Sequence, residues 1–353
     1  AQNSAGLAIQ RVDLLQHGVN EFHDIARNTS LGSVEKAQRA MQVIESICDP
    51  ELTGLASQVT SALIDGKDTP DFTFTLADDL DKERLRARDM LFSGQADQAI
   101  EAAEAAVAHL DQVYAAGHGV PRYFNSYAER VVYNRLFATL DERTVLIPDN
   151  LFYAHMELAD VLSQIKGAEA AIPHLNRMVA YAPAYPLSHL KLAIRLARNE
   201  DWDSARAACL NALRVALDRD DAAFAYYRFA YAEWMLDRFD TAAAAYIMSD
   251  HIAPGAIGSL ESELQELVSR ADSQCVPVPE SVEAAAHVLA THDLPVWPHI
   301  EVADIVRDAA RVCVDEDMFV PARTLSVAVA RMNDGEGDNI DIIQAQFLRS
   351  LSA

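Results

Sequence analysis

The sequence predicts an all-α chain folded as an α-α superhelix, a solenoid of stacked antiparallel helical hairpins. Three observations carry that prediction. Gly and Pro number only 13 each in 353 residues while Ala recurs in clusters such as Ala102–Ala103 and Ala242 to Ala245, a composition poor in turns and rich in the best helix former. Small residues recur at fixed steps. The polar turns between them fall where a hairpin would need them.

The steps are 12 and then 7. They join Ala87, Ala99 and Ala106; Ala159, Ala171 and Met178; Ala193, Ala205 and Ala212; and Ala230, Ala242 and Ser249. Two of these triples stand 34 residues apart. A bulky residue precedes the first small one at Leu158, Leu192 and Phe229, and a short polar turn precedes the second, as at Gly94–Asp97, Asn199–Asp203 and Asp237–Asp240. Pro183 and Pro254 each lie 12 residues beyond the second Ala, where Pro ends one helix and opens the next connection. The spacing has a steric cause: two antiparallel helices approach closely only where small side chains face each other between large ones. A unit of about 34 residues cannot bury its own apolar face, so such units must stack.

This pattern resembles the tetratricopeptide repeat (TPR) family in divergent form, most clearly over 80–254. The family's usual Trp position holds His155, His189 or Tyr226, and its Gly position holds Ala. Between Ala106 and Tyr153 the register slips, and a degenerate repeat is expected at about 117–150, with a helical stripe of Tyr127, Val131, Val132, Leu136 and Leu140.

The chain reads as three segments. Residues 1–79 form an N-terminal helical segment of three helices broken at Thr29–Ser33 and Cys48–Pro50, with Ser33 as a helix cap. Residues 80–254 hold the TPR-like repeats. Residues 255–353 hold helices near 258–273, 280–291, 299–314 and 319–332, a worn repeat at Ala310, Ala322 and Val329, and a terminal cap helix from Ile340 to Leu351 after the Asp334–Asp338 loop.

The formal charge of −24 disfavours nucleic acid and anionic membrane surfaces as partners, and no apolar run reaches membrane-spanning length. The four cysteines are scattered without a Cys-x-x-Cys, which points to a reducing compartment and a cytoplasmic location. The start, Ala1-Gln2-Asn3-Ser4, lacks Met and any signal pattern, so a lost targeting segment is compatible with the sequence.

No cofactor, metal or catalytic site is expected. His287 and His292 stand five apart, about 140° around a helix, and do not share a face. There is no His-Glu-x-x-His, Gly-x-Ser-x-Gly or phosphate-binding loop. Cys209 falls at a core position as a packing thiol.

The resemblance implies that the first helix of each hairpin lines a concave groove that holds a protein or peptide. Counting from the packing alanines places Arg84 and Arg88, then Tyr153, Met156 and Asp160, then Leu190, Lys191, Ile194 and Arg198, then Phe224, Tyr227, Arg228, Tyr231 and Met235 in that groove, with Trp234 at its edge. Tyr, Trp and Arg are the residue types that dominate binding hot spots. The same aromatics also suit simple packing between repeats. The carboxylate clamp of some family members pairs Lys with Asn, and Asn is missing beside Lys191, Arg198 and Arg228. The expected function is therefore a non-catalytic binding scaffold. The alternatives are a peptide-responsive regulator, for which 1–65 lack a basic DNA-reading stripe, and an α-helical enzyme.

Overall fold

In the computed structural model, residues 5–332 are described, and they are overwhelmingly helical. The helices are α1 (Arg11–Arg27), α2 (Ser33–Ile47), α3 (Pro50–Thr53), α4 (Ala56–Ile64), α5 (Leu76–Phe92), α6 (Ala96–Ala115), α7 (Tyr127–Leu136), α8 (Asp149–Ile165) and α9 (Ala168–Tyr181). They continue as α10 (Pro186–Arg198), α11 (Trp202–Val215), α12 (Arg219–Met235), α13 (Phe239–Ile252), α14 (Leu260–Ser273), α15 (Val282–Thr291), α16 (Ile300–Asp315) and α17 (Phe319–Met332). The four helices expected after Pro254 are α14 to α17. The expected cap helix Ile340–Leu351 and the loop before it lie outside the described residues.

The chain divides into two compact units. Unit 1 runs through Phe124 and resumes over Ala138–Leu162; unit 2 holds Asn125–Phe137 and everything from Ser163.

In unit 1, α1 to α4 close on Leu15, Phe22, Ile44, Leu52, Val59 and Leu63. Gly32, not Ser33, precedes α2 in extended conformation, so Ser33 is already helical and its hydroxyl caps nothing. The cap that does form is Asp49, which accepts from the Glu51 N–H ahead of Pro50 at the first helical position of α3. Arg11, 5% exposed, donates to Asp49 at 2.8 and 3.1 Å and to Glu51 at 2.6 Å. Glu51 in turn accepts from the N–H groups of Thr75 and Leu76 and so ends the linker at the start of α5. His23 bridges Asp68 and Asp71 at 2.8 Å each, which ties the loose stretch after Gly66 to α1, and those hydrogen bonds raise its pKa.

The region expected to hold the degenerate repeat, about 117–150, departs from a helical hairpin. Two three-residue strands, β1 (Val120–Arg122) and β2 (Thr144–Leu146), pair in parallel, and α7 spans only ten residues between them. Leu140 is fully exposed outside the helix. Gly119 explains part of this. A Cβ there would stand 2.0 Å from Val145 Cγ2 and 3.0 Å from the Arg143 carbonyl, so only Gly lets the backbones approach and pair.

Elsewhere the spaced small residues do the packing that their spacing implied. Helix α5 packs on α6, α10 on α11, α12 on α13 and α16 on α17. The first two small residues of those four pairs, Ala87 with Ala99, Ala193 with Ala205, Ala230 with Ala242 and Ala310 with Ala322, are all buried. Ala106 is only half-buried. Ala159 and Ala171 are both fully buried, but they belong to different units. Around α12 and α13 the core takes Ala222, Ala223, Ala225 and Ala242 to Ala245, so both helices pack against neighbours on more than one side. One charge enters that core: Glu233, fully buried, accepts from Arg206, Arg238 and the Thr241 hydroxyl.

The hairpin turns share one geometry. The residue five before the second Ala is left-handed: Gly94, Glu200, Asp237 and Asp317. The next N–H reaches back to close a Schellman turn, with Gln95 N to Met90 O at 2.9 Å, Asp201 N to Leu196 O at 3.0 Å, Arg238 N to Glu233 O at 2.9 Å and Met318 N to Cys313 O at 2.8 Å. Glu200 and Asp237 hold a conformation that Gly adopts without strain. Asp237→Gly and Glu200→Gly should therefore each stabilise by about 0.5–1 kcal/mol in urea denaturation. The reverse change at the equivalent turn, Gly94→Ala, should cost about 1 kcal/mol. Gly119→Ala should cost more, about 1–3 kcal/mol, because its Cβ collides with backbone and a neighbouring side chain. An unchanged denaturation midpoint for that variant would mean that β1 and β2 do not pair as described.

Candidate functional site

Two clefts stand out, one inside each unit. The first is an open cleft of about 500 Å³ among α5, α6 and α8 of unit 1. Its floor is aliphatic: Ala87, Leu91, Ile100, Ala103, Val107, Leu158 and Val161. Two of the expected groove residues reach it, Arg84 and Arg88, one turn apart on α5 and lining the same space as Asp81 and Glu157. Arg84 is committed within the fold, donating to Asp81 at 2.8 Å and to Glu157 at 2.5 and 3.3 Å. Arg88 is exposed and has no ion-pair partner among the described residues.

Tyr153 does not line this cleft. Its ring meets Tyr123 and Phe152 edge-on at 5.9 and 5.8 Å, and its hydroxyl bonds that of Tyr123 at 3.0 Å. Helix α8 turns Ala154, Glu157, Leu158 and Val161 to the cleft instead. The expected stripe of Tyr153, Met156 and Asp160 is thus off by one residue, about 100° of helix rotation. His155, where the repeat pattern has a large packing residue, is buried against Asp111 at 3.0 Å.

The other expected groove residues lie in unit 2. On α10, Lys191 and Ile194 are half-buried and Arg198 is exposed, while Leu190 is 4% exposed and belongs to the core. On α12 the aromatics are engaged in packing. The Arg228 guanidinium sits 5.8 Å from the centre of the Phe224 ring. Tyr227 meets Tyr246 edge-on at 5.9 Å, its hydroxyl 2.9 Å from the Ser259 hydroxyl and donating to Glu263 at 2.7 Å. Tyr246 donates to the same carboxylate at 2.8 Å, and burial together with that bond raises both phenol pKa values. Tyr231 lies between Trp202 and Trp234, with ring centres at 5.6 and 6.1 Å. Trp234 is 6% exposed, a core residue and not a groove edge. Short-range hydrophobic counting cannot separate a groove aromatic from one filling the gap to the next hairpin, because both need the same stripe.

The second cleft, about 870 Å³, lies in unit 2 among the first turns of α7, α10 and α12 and one face of α17. Glu129, Asp218 and Asp221 line it together with Arg323 and Arg331, which have no ion-pair partners among the described residues. Glu129 is 3% exposed; burial, with the Asp221 charge beside it, pushes its pKa up to about 8. Asp221 is pushed up to about 6 by burial and by Asp218 and Asp220. The signal for Glu129 was present in the sequence as Ser126-x-x-Glu129, a helix-start box. Ser126 accepts from the Glu129 N–H at 3.2 Å, and Glu129 accepts from the Asn125 N–H at 2.8 Å.

Among the described residues no three His, Cys, Asp or Glu side chains cluster as metal ligands, and His292 pairs instead with Asp240 at 3.1 Å. All four cysteines are free, and burial pushes the Cys209 thiol up to about 12, as a packing thiol requires. No described helix is long and apolar enough to cross a membrane. A scan against protein-family models finds no match, and neither does a search of curated proteins.

Glu129 titrates with an unusual sign. Its folded pKa lies above the unfolded value of roughly 4.3, so the folded state holds the proton more tightly. Stability should therefore fall as pH rises from about 4.5 through 8. Glu129→Gln removes the ionisation, and its melting temperature should decline less over that range than that of the wild type. Parallel curves for the two proteins would show that Glu129 ionises in the folded state at its ordinary pKa.

Proposed function

We propose that this chain is a non-catalytic protein- or peptide-binding scaffold, a TPR-like solenoid that seats a short segment of its partner in the cleft of unit 1. The observation that carries the reading is the aliphatic cleft of about 500 Å³ with Arg88 at its wall. Its size falls among ordinary ligand sites of roughly 300–1,000 Å³, and an apolar floor with a few placed charges is the common make-up of such sites. Burying two or three aliphatic side chains supplies the affinity, at about 25 cal/mol per Å² of apolar surface removed from water. Arg88 supplies orientation. Arg84 is held by Asp81 and Glu157, which leaves Arg88 as the cleft cation whose donors are not taken up by an ion pair among the described residues. The segment favoured is therefore aliphatic with an adjacent carboxylate.

The hairpins support the solenoid part of the proposal, because alanine pairs bury at the crossing and the turns repeat one geometry. A charge of −24 argues against a polyanionic partner. Free cysteines fit work in the cytoplasm.

Panning a random peptide library on the immobilised full chain tests this. Enriched peptides should pair an acidic residue with two or more aliphatic ones. Arg88→Glu and Val161→Asp, each with unchanged circular dichroism, should weaken them at least tenfold, about 1.4 kcal/mol. Enriched peptides that bind both variants as well as wild type would remove the cleft from the proposal.

A further inference from the structure

The connection between α4 and α5 is fixed at both ends and lightly tethered between them. At its start, the N–H groups of Gly66 and Lys67 reach back to Leu63 O at 3.1 Å and Ala62 O at 2.9 Å, closing α4 with Gly66 left-handed. At its far end, Glu51 accepts from the Thr75 and Leu76 N–H groups at 2.9 and 3.0 Å, a grip that does not involve His23. Across 68–74 no backbone–backbone hydrogen bond forms among the described residues. Phe72 and Phe74 pack partly against the core of α1 to α4. The polar half of the span, Asp68 to Asp71, is held by one side chain of α1, His23.

His23 stands between two carboxylates. Its Nδ1 lies 2.8 Å from Asp68 and its Nε2 lies 2.8 Å from Asp71. A neutral imidazole has one N–H and one lone pair, and an ionised carboxylate only accepts. Both contacts therefore hold together only when both ring nitrogens carry protons. Removing one proton turns a lone pair toward a carboxylate at the same distance, and that contact becomes repulsive. Of the other charges nearby, Arg27, one turn on along α1, reaches Asp68 only at 4.0 Å. On α2, Lys36 donates to the Ala26 carbonyl at 2.6 Å and Arg39 pairs with Glu35 at 3.2 Å.

We propose that this connection is a proton-operated strap: it lies closed on α1 while His23 is an imidazolium and releases over Asp68 to Asp71 when His23 becomes neutral, with the Glu51 grip holding the start of α5 throughout. The window follows from the partners. The bonds to Asp68 and Asp71 raise the His23 pKa above its ordinary 6.5, so the closed state is fully present below that value and is lost as pH rises through the raised one. Asp68 is lowered from 3.8, chiefly by the same bond, so its contribution is lost only as pH falls through that lower value.

Release frees the peptide bond after Lys67, an exposed residue, for a lysine-specific endoprotease, which needs the chain drawn out on both sides. Cleavage of the full chain at Lys67 is followed by mass spectrometry at pH 6 and pH 9, each rate divided by that of a free peptide of residues 62–74. The ratio tracks the open fraction, and in wild type it should rise roughly fivefold or more between the two pH values. His23→Gln, with one amide nitrogen in place of two ring donors, should be as open at pH 6 as wild type is at pH 9. In Asp68→Asn/Asp71→Asn the ratio should lose its pH dependence, since amides meet a neutral ring as well as a charged one. A level wild-type ratio overturns the proposal, and so does an equal rise in His23→Gln, which would place the titrating group elsewhere. An equal rise at Lys82, within α5, would mean that the helix itself opens and overturns it as well.

Discussion

The distance of closest approach between paired helices governs this structure. Helix axes come within about 8–10 Å only where the side chains between them are small. Four hairpins meet that demand with the same device, a buried Ala on each helix 12 residues apart with a tight turn between. The turn is a consequence of the packing. With the crossing fixed, the reversing residue must enter the left-handed region, and it does so whether it is Gly94, Glu200, Asp237 or Asp317. Three of those four are residues that accept strain to keep the register. At those three turns, packing gain in the crossing outweighs a local cost of about 1 kcal/mol.

Charge in this acidic molecule is organised around its scarce cations. Arg11 is buried with Asp49 and Glu51 and joins α1 to the starts of α3 and α5. Arg206 and Arg238 converge on Glu233 in the alanine-rich core. Breaking such a buried pair leaves a charge without compensation, which costs far more than the pair itself stabilises. Among the described cations without an ion-pair partner, Arg88, Arg323 and Arg331 are ones that line clefts. In a chain with 53 acidic residues, an Arg without an ion-pair partner at a cleft wall offers its donors to an outside carboxylate.

The candidate sites were only partly legible. Arg84 and Arg88 were reachable from the sequence because they lie on α5 at i and i+4, on a face set by a well-marked hairpin. Tyr153 was missed by one residue, since the preceding segment holds two strands and α7 in place of a repeat, and the phase of α8 could not be carried across it. Tyr227 and Tyr231 have the composition of a binding face, yet their rings and the Tyr227 hydroxyl are engaged by Tyr246, Glu263, Trp202 and Trp234. The unit 2 cleft combines α7, α10, α12 and α17, and nothing in local pattern links positions some 200 residues apart.

By itself, the sequence determined the helices, the hairpins and the turns between them, because helix propensity, small-residue spacing and turn chemistry act over a dozen residues or fewer. Tertiary structure alone decided which faces stay open. It also decided that Glu129 is buried enough to hold a proton near neutral pH, and that Arg84 is held in ion pairs while Arg88 is not. Burial and ion pairing depend on what arrives from far along the chain, and distance in sequence carries no measure of that.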